Sequence, residues 1–288
     1  MSLNGKYPSV AVIIPTFNRA TLLERAVRSV IAQTVLPAEI WVIDDGSTDE
    51  TEGMLRANFP GVHYRYQENR GVSAARNMGI EEAESDWIAL LDSDDAWQPE
   101  KLERQLRALS NNPEVLFLHT DEIWMRRGKR VNPMNKHAKP NGRVFKASLA
   151  LCAMSPSSAL IHRRVFDDVG LFDESLPACE DYDLWLRISS KYDVLLVPEP
   201  LVVKYGGHED QLSRKHWGMD RFRVKALEKI LKVGAWSLTL DERTLALKIL
   251  REKLTILRNG AAKRGNDEQS CFYETKLAAW NLKATESR

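Results

Sequence analysis

Cysteine is scarce. The 288 residues hold three, Cys152, Cys179 and Cys271, widely spaced and without a Cys-x-x-Cys pair. They read as the reduced thiols of a cytoplasmic protein, not as a disulfide framework or a zinc site. Charge of one sign is lacking too. Lys+Arg 41 against Asp+Glu 40 leaves a formal net charge of +1, so nothing predicts bulk attraction to nucleic acid or to an anionic membrane. No apolar run reaches the roughly 18 residues that span a bilayer. The start, Met1-Ser2-Leu3-Asn4-Gly5-Lys6, is polar and reads as no signal peptide. The Gly-x-Gly-x-x-Gly and Gly-x-x-x-x-Gly-Lys loops that cradle phosphates are missing, as are repeats and low-complexity tracts.

What is present supports a buried core. Hydrophobic residues make up 43% of the chain, and its length allows one large α/β domain with an appendage or two small domains. Through residue 110, strand-like and helix-like segments alternate. Strands are expected at 9–14, 39–43, 62–67 and 87–91, and helices at 20–33, from Thr48 or Asp49 to about 58, at 72–83, and from about Pro99 to 109. Such alternation produces a parallel sheet with helices on both faces. Ligands of such sheets sit beyond the carboxyl ends of the strands. The middle third is less regular. Strands are expected at 115–119, 157–161, 194–197 and 201–205, the last two broken by Pro198 and Pro200, with a helix at 182–189. Residues 126–139 are basic and turn-rich and read as a mobile loop. From about 216 the pattern changes to amphipathic helices at 222–232, 240–258 and 267–282.

The most informative stretch is Trp87-Ile88-Ala89-Leu90-Leu91-Asp92-Ser93-Asp94-Asp95. A buried strand runs directly into three carboxylates, which repel one another unless a cation offsets them. Oxygen ligands of this kind suit Mg²⁺ or Mn²⁺ holding a diphosphate, whereas a solvated acidic turn is the plainer alternative. Asp44-Asp45-Gly46-Ser47-Thr48-Asp49 also follows a strand and suits either a base or ribose contact or an Asx turn with an N-cap. Pro15-Thr16-Phe17-Asn18-Arg19 offers backbone and hydroxyl groups at a neighbouring strand end. Arg70 and Arg76 flank a helix start, where a guanidinium can meet phosphate or simply face water. Glu180, Asp181 and Asp183 open a helix, where acids gain from the dipole, or where one of them serves as a general base. His208 follows paired glycines that can bring it towards a metal or leave it solvated.

Together these segments resemble the family 2 glycosyltransferases, the inverting group with the glycosyltransferase A-type fold, over about residues 8–215. The resemblance rests on Val12 to Arg19, Ile43 to Asp49, Gly71 to Gly79, Leu91-Asp92-Ser93-Asp94-Asp95 and Glu180 to Arg187, in that order and spacing. It implies a Rossmann-like nucleotide-diphospho-sugar transferase fold with a mixed central sheet and helices on both faces. The catalytic domain is then residues 1–215, with a nucleotide half at about 8–110 and an acceptor half at about 111–215, and residues 216–288 form a C-terminal helical extension. The resemblance implies that Pro15, Thr16, Asn18, Arg19, Asp44, Asp45, Arg76, Asp92 and Ser93 hold the nucleotide sugar, without separating Asp44 from Asp45 as the base contact. Asp94, with Asp92 and His208, is then the metal site for Mn²⁺ or Mg²⁺, and Asp181 is the catalytic base.

The implied donor is a nucleoside diphosphate sugar, UDP being the usual carrier for this motif set. The implied acceptor is a saccharide, a lipid-linked saccharide or a protein, and a lipid-linked acceptor would bring a cytoplasmic enzyme to the inner membrane face. The terminal helices are candidates for a homo-oligomer contact. Two other functions compete. A non-catalytic nucleotide-sugar-binding subunit of a glycan assembly complex would have no need of a base at Asp181. A sugar nucleotidyltransferase would carry a Gly-rich, Arg- and Lys-containing loop where Pro15-Thr16-Phe17-Asn18 stands.

Overall fold

The computed structural model describes residues 7–132, 138–207, 218–232 and 236–286, with side chains up to 282. In chain order the first part contains β1 (Val10–Thr16), α1 (Ala20–Ile31), β2 (Glu39–Asp44), α2 (Thr51–Asn58), β3 (His63–Tyr66), α3 (Val72–Glu82), β4 (Trp87–Leu90), β5 (Ala96–Trp97) and α4 (Lys101–Asn111). The second part contains β6 (Phe117–Arg126), β7 (Lys129–Val131), α5 (Phe145–Ala150), a 3₁₀ turn at Pro156–Ser158, β8 (Leu160–His162), α6 (Arg163–Val169), α7 (Glu180–Ser189) and β9 (Leu195–Gly206). Three helices follow: α8 (Asp220–Ile230), α9 (Leu240–Lys263) and α10 (Asp267–Glu286).

One sheet runs in the order β3-β2-β1-β4-β8-β6-β9-β5, with β7 added to β6. Strands β1 to β4 pair in parallel, as the strand-helix alternation requires. β8 then runs antiparallel to both β4 and β6, and β9 is parallel to β6, so the whole sheet is mixed. β1 is buried throughout because its alternate side chains serve two cores. Val10, Val12 and Ile14 meet Leu23, Ala26, Val27 and Val30 of α1 on one face. Ala11 and Ile13 meet Ala75 and Ile80 of α3 on the other. α3 lies close enough that a Cβ at Gly79 would collide with the Ile13 side chain. Each of the buried valines, leucines and isoleucines here contributes on the order of 1.5–3 kcal/mol.

α7 is enclosed on both sides. Leu184, Trp185 and Ile188 pack into the sheet-side core. Tyr182 and Leu186 pack into a third core with Phe145 and Leu149 of α5 and with Leu227, Leu250 and Leu254 of α8 and α9. A capping box starts α9: Glu242 N donates to the Thr239 hydroxyl at 3.2 Å and Thr239 N donates to Glu242 at 2.9 Å. Glu242 also pairs with Arg143 at 2.8 Å, tying the tail to the segment that leads into α5. The terminal helices therefore hold one side of α7.

Several boundaries differ from the sequence expectation for identifiable reasons. β9 continues through Pro198 and Pro200, because register shifts against Thr120, Asp121 and Glu122 remove the need for their amides. β6 extends well beyond residue 119. Instead of a loop from residue 126, it turns at Arg127-Gly128, both at positive φ, and returns as β7. The expected strand at 157–161 begins as the Pro156–Ser158 turn, fixed by Ser158 Oγ donating to Ser155 O at 2.8 Å. α4 starts at Lys101, with Pro99 outside its N-cap Glu100. His208, and residues 133–137 of the basic segment, lie outside the described residues.

Candidate active site

β1 has β2 on one side and β4 on the other, so the strand order reverses there. A crevice opens beyond the carboxyl ends of these strands, as such a reversal requires. It is a cavity of about 1440 Å³, ample for a drug-sized or nucleotide-sized ligand. Pro15, Thr16, Asn18, Arg19, Asp45, Arg76, Asp92, Ser93, Asp94 and Asp181 all line it. Asp44 does not. Its side chain is buried, accepting from Ser47 N at 2.8 Å and from the Tyr64 hydroxyl at 2.9 Å.

The loop after β1 is clamped to the loop after β2. Asn18 N donates to Ser47 Oγ at 2.8 Å and Thr48 N donates to Asn18 Oδ1 at 2.7 Å. Asn18 sits at φ 51, a left-handed conformation that asparagine tolerates better than most residues. Asp45 accepts from Gln67 Nε2 at 2.6 Å, Arg70 N at 2.8 Å and Gly71 N at 2.9 Å, and so fixes the entry to α3. Thr16 Oγ1 is buried in this wall with no hydrogen-bond partner among the described residues, a polar atom left for a ligand to satisfy.

Arg76 joins the two halves of the site. Its guanidinium donates to Asp92 Oδ1 and to Glu180 Oε1, both at 2.7 Å. Asp94 accepts from Arg19 at 3.2 Å. Asp95 accepts from Ser157 Oγ at 2.6 Å and lies 3.4 Å from Lys204 Nζ. Burial works against the Asp92 carboxylate, but Arg76 and then Lys204 outweigh it and hold its pKa below the ordinary range. Burial and the Asp92 charge push Asp94 above that range despite Arg19. Burial takes Asp95 to about 7, with Lys204 opposing and Asp92 and Asp94 adding to the rise. Burial is thus the largest cause of the rise at Asp94 and Asp95, while the neighbouring cations prevail at Asp92.

The carboxylates at this strand end bear on a divalent cation. Among the described residues, no three His, Cys, Asp or Glu side chains converge on one point, so these side chains form no closed protein cage. Mg²⁺-like ions commonly take one or two carboxylates and fill the remaining positions with phosphate oxygens and water. Asp94 with Asp92 matches that donor set.

Asp181 faces the same cavity from the first turn of α7. Its Oδ1 accepts from Tyr182 N at 2.7 Å and its Oδ2 lies 3.1 Å from the Cys152 thiol, which donates to it. The N-cap residue of α7, Cys179, holds φ 62, so the chain enters the helix through a left-handed residue. Sequence reasoning missed the opposite wall. There Glu122 of β6 pairs with Lys139 at 2.9 Å, accepts from Trp124 Nε1 at 3.0 Å and accepts from Ser155 Oγ. The one available signal was a lysine, Lys204, inside the apolar run 201–205.

Glu122 supplies a pH prediction. Burial would raise its pKa, but Lys139, Lys204 and the Ser155 hydroxyl bring it down to about 2 from 4.5. Folding therefore favours the carboxylate. Its contribution of about 3 kcal/mol is complete above the unfolded value and is lost as pH falls from about 4.5 towards 2. Urea titrations across that window should show a steeper loss of stability in the parent than in Glu122→Gln. Equal slopes would assign the acid sensitivity to other groups.

A model described as glycosyl transferase family 2 matches residues 11–170. The chain belongs to glycosyl transferase family 2. An uncharacterized glycosyltransferase of Rickettsia typhi is 34% identical over 206 residues, covering 67% of this chain and 63% of that protein. The chain spans between 32% and 63% of the length of the first curated relatives it matches. Among solved structures, S. aureus TarS 1–349 in complex with UDP-GlcNAc has a TM-score of 0.64 at 15% identity, covering 94% of this chain and 92% of that one. The mannosyltransferase PcManGT of Pyrobaculum calidifontis, in complex with GDP-Man and Mn²⁺, has a TM-score of 0.61 at 18% identity, covering 97% and 86%. These likenesses establish a shared glycosyltransferase A-like fold. No described helix is long and apolar enough to cross a membrane.

Proposed function

We propose that this family 2 member is an inverting glycosyltransferase that moves a sugar from a nucleoside diphosphate sugar to an acceptor hydroxyl. The observation that carries this reading is the single cavity shared by Asp92 and Asp94 at the end of β4 and Asp181 at the start of α7. The donor's base and ribose would lie along Thr16, Asn18, Arg19 and Asp45. Asp45 is preferred to Asp44 because it reaches the cavity wall. The catalytic unit would be residues 1–215, with the last three helices an extension that supports α7.

Asp181 accepts the proton of the acceptor hydroxyl as that oxygen forms a bond to the anomeric carbon. The bond from that carbon to the diphosphate oxygen breaks on the opposite face, and the diphosphate leaves with the electron pair. One displacement inverts the anomeric centre and leaves no sugar on the protein. Asp94 and Asp92 would hold a divalent cation, Mn²⁺ or Mg²⁺, whose Lewis acidity would stabilise charge on the departing diphosphate. Arg19 keeps Asp94 in place, and Arg76 fixes Asp92 relative to the α7 terminus.

A binding-only subunit could keep the nucleotide wall, but nothing in that role calls for a carboxylate at Asp181. Thermal shift with UDP, dTDP, GDP and CDP, each with and without Mn²⁺, identifies the base, since a bound ligand raises the melting temperature. For Asp94→Ala, calorimetry should show that adding Mn²⁺ no longer tightens nucleotide binding, with a loss of at least tenfold in metal-dependent affinity. Unchanged metal dependence would remove Asp94 from the cation site.

A further inference from the structure

The β6–β7 hairpin stands at the mouth of the cleft and is strongly cationic. Arg126, Arg127, Lys129 and Arg130 are exposed. Among the described residues none of them pairs with a carboxylate. The Arg126↔Lys129 and Trp124↔Val131 pairings put these four side chains on one face of the ribbon. Trp124, Arg126 and Val131 line the cavity that also contains Asp181. Trp124 is steadied by its hydrogen bond to Glu122. Along β6 it lies roughly 7 Å from Arg126. This face therefore sets two cations one step farther out than Trp124, at the rim of the cavity.

The turn adds an independent observation. Arg127 at φ 50 and Gly128 at φ 73 form a two-residue turn of left-handed residues, where Asn-Gly or Gly-Gly is the usual choice. An arginine there is disfavoured by the backbone, yet it adds a further cation at the tip. The tip has no large apolar side chain that could insert into a bilayer.

We propose that the acceptor is a saccharide bearing an anionic group, phosphate or carboxylate. Its sugar enters the cavity that Trp124 and Arg126 line, and its charge lies between Arg126 and Lys129. This rests on reading the cleft as a sugar-transfer site. Guanidinium and ammonium groups bind such anions by charge-assisted hydrogen bonds, which added salt weakens at an exposed site.

The test measures binding without turnover. The full chain, saturated with UDP and Mn²⁺, is titrated calorimetrically with a disaccharide phosphate, a uronate-bearing disaccharide and the matching neutral disaccharide. Tighter binding of either anionic sugar by at least tenfold, reduced to under threefold in Arg126→Gln/Lys129→Gln and retained in Lys248→Gln, supports the proposal. Equal binding of charged and neutral sugars by the parent would overturn it. So would a preference that survives in the double variant, or one that Lys248→Gln abolishes equally. Sedimentation with phosphatidylglycerol vesicles that depends on Arg126 and Lys129, without any preference among the sugars, would also overturn it and assign the hairpin to a membrane surface. Failure of UDP itself to bind in the preparatory titration would count against the sugar-transfer reading, a result distinct from these.

Discussion

An Asp181→Asn variant should transfer sugar about 10³-fold more slowly than the parent while binding the donor with nearly unchanged affinity. The amide keeps the size of the side chain and one oxygen to accept from Tyr182 N, a bond of 2.7 Å in the parent. It cannot accept the acceptor's proton. α7 itself is secured by Tyr182, Leu184, Trp185 and Leu186, all buried in two cores, so the fold should not register the change. The kcat for transfer should fall, while the donor dissociation constant and the melting temperature stay near parental values. A variant with near-parental kcat would place the base elsewhere. A variant that lost donor affinity as well would mark Asp181 as a binding residue.

Arg76→Met should be the most damaging substitution for stability. Arg76 is 3% exposed and holds two carboxylates from distant parts of the chain. Burial and the neighbouring Asp181 already raise the Glu180 pKa, with Arg76 opposing that rise. Removing the guanidinium strands buried charge, at a cost of about 3–5 kcal/mol. Adding Glu180→Gln should recover part of the loss, because the stranded acid is then neutral. Urea denaturation of the two variants and the parent measures both effects. A loss below about 1 kcal/mol for Arg76→Met would show that the tie contributes little.

Arg76 also marks how far the sequence could be read. Its place on a helix beside the expected nucleotide site was legible from Gly71-Val72-Ser73-Ala74-Ala75-Arg76, because helical spacing is a local property. Its two partners were not, because Glu180 is brought to it by the packing of α7 against the sheet. The same distinction applies to the acids after β2. Asp44 and Asp45 are adjacent in sequence, but strand alternation turns Asp44 towards Tyr64 and leaves Asp45 at the cavity wall. Pro198 and Pro200 signalled a break that the register shift in β6 made unnecessary. The Arg127-Gly128 turn was hidden because arginine is a poor marker of a left-handed position.

The pattern of apolar runs ending in acid or turn residues determined the strand-helix alternation and the strand ends at which the polar clusters lie, while the family was legible only through the resemblance of five motifs. Those are consequences of period, length and local chemistry. Tertiary packing alone decided that Asp181 shares a cavity with Asp92 and Asp94, that Arg76 joins Asp92 to Glu180, and that a cationic hairpin stands at the entrance. Such relations arise when burial of apolar faces brings remote segments together, and no short stretch of sequence encodes the distance between them.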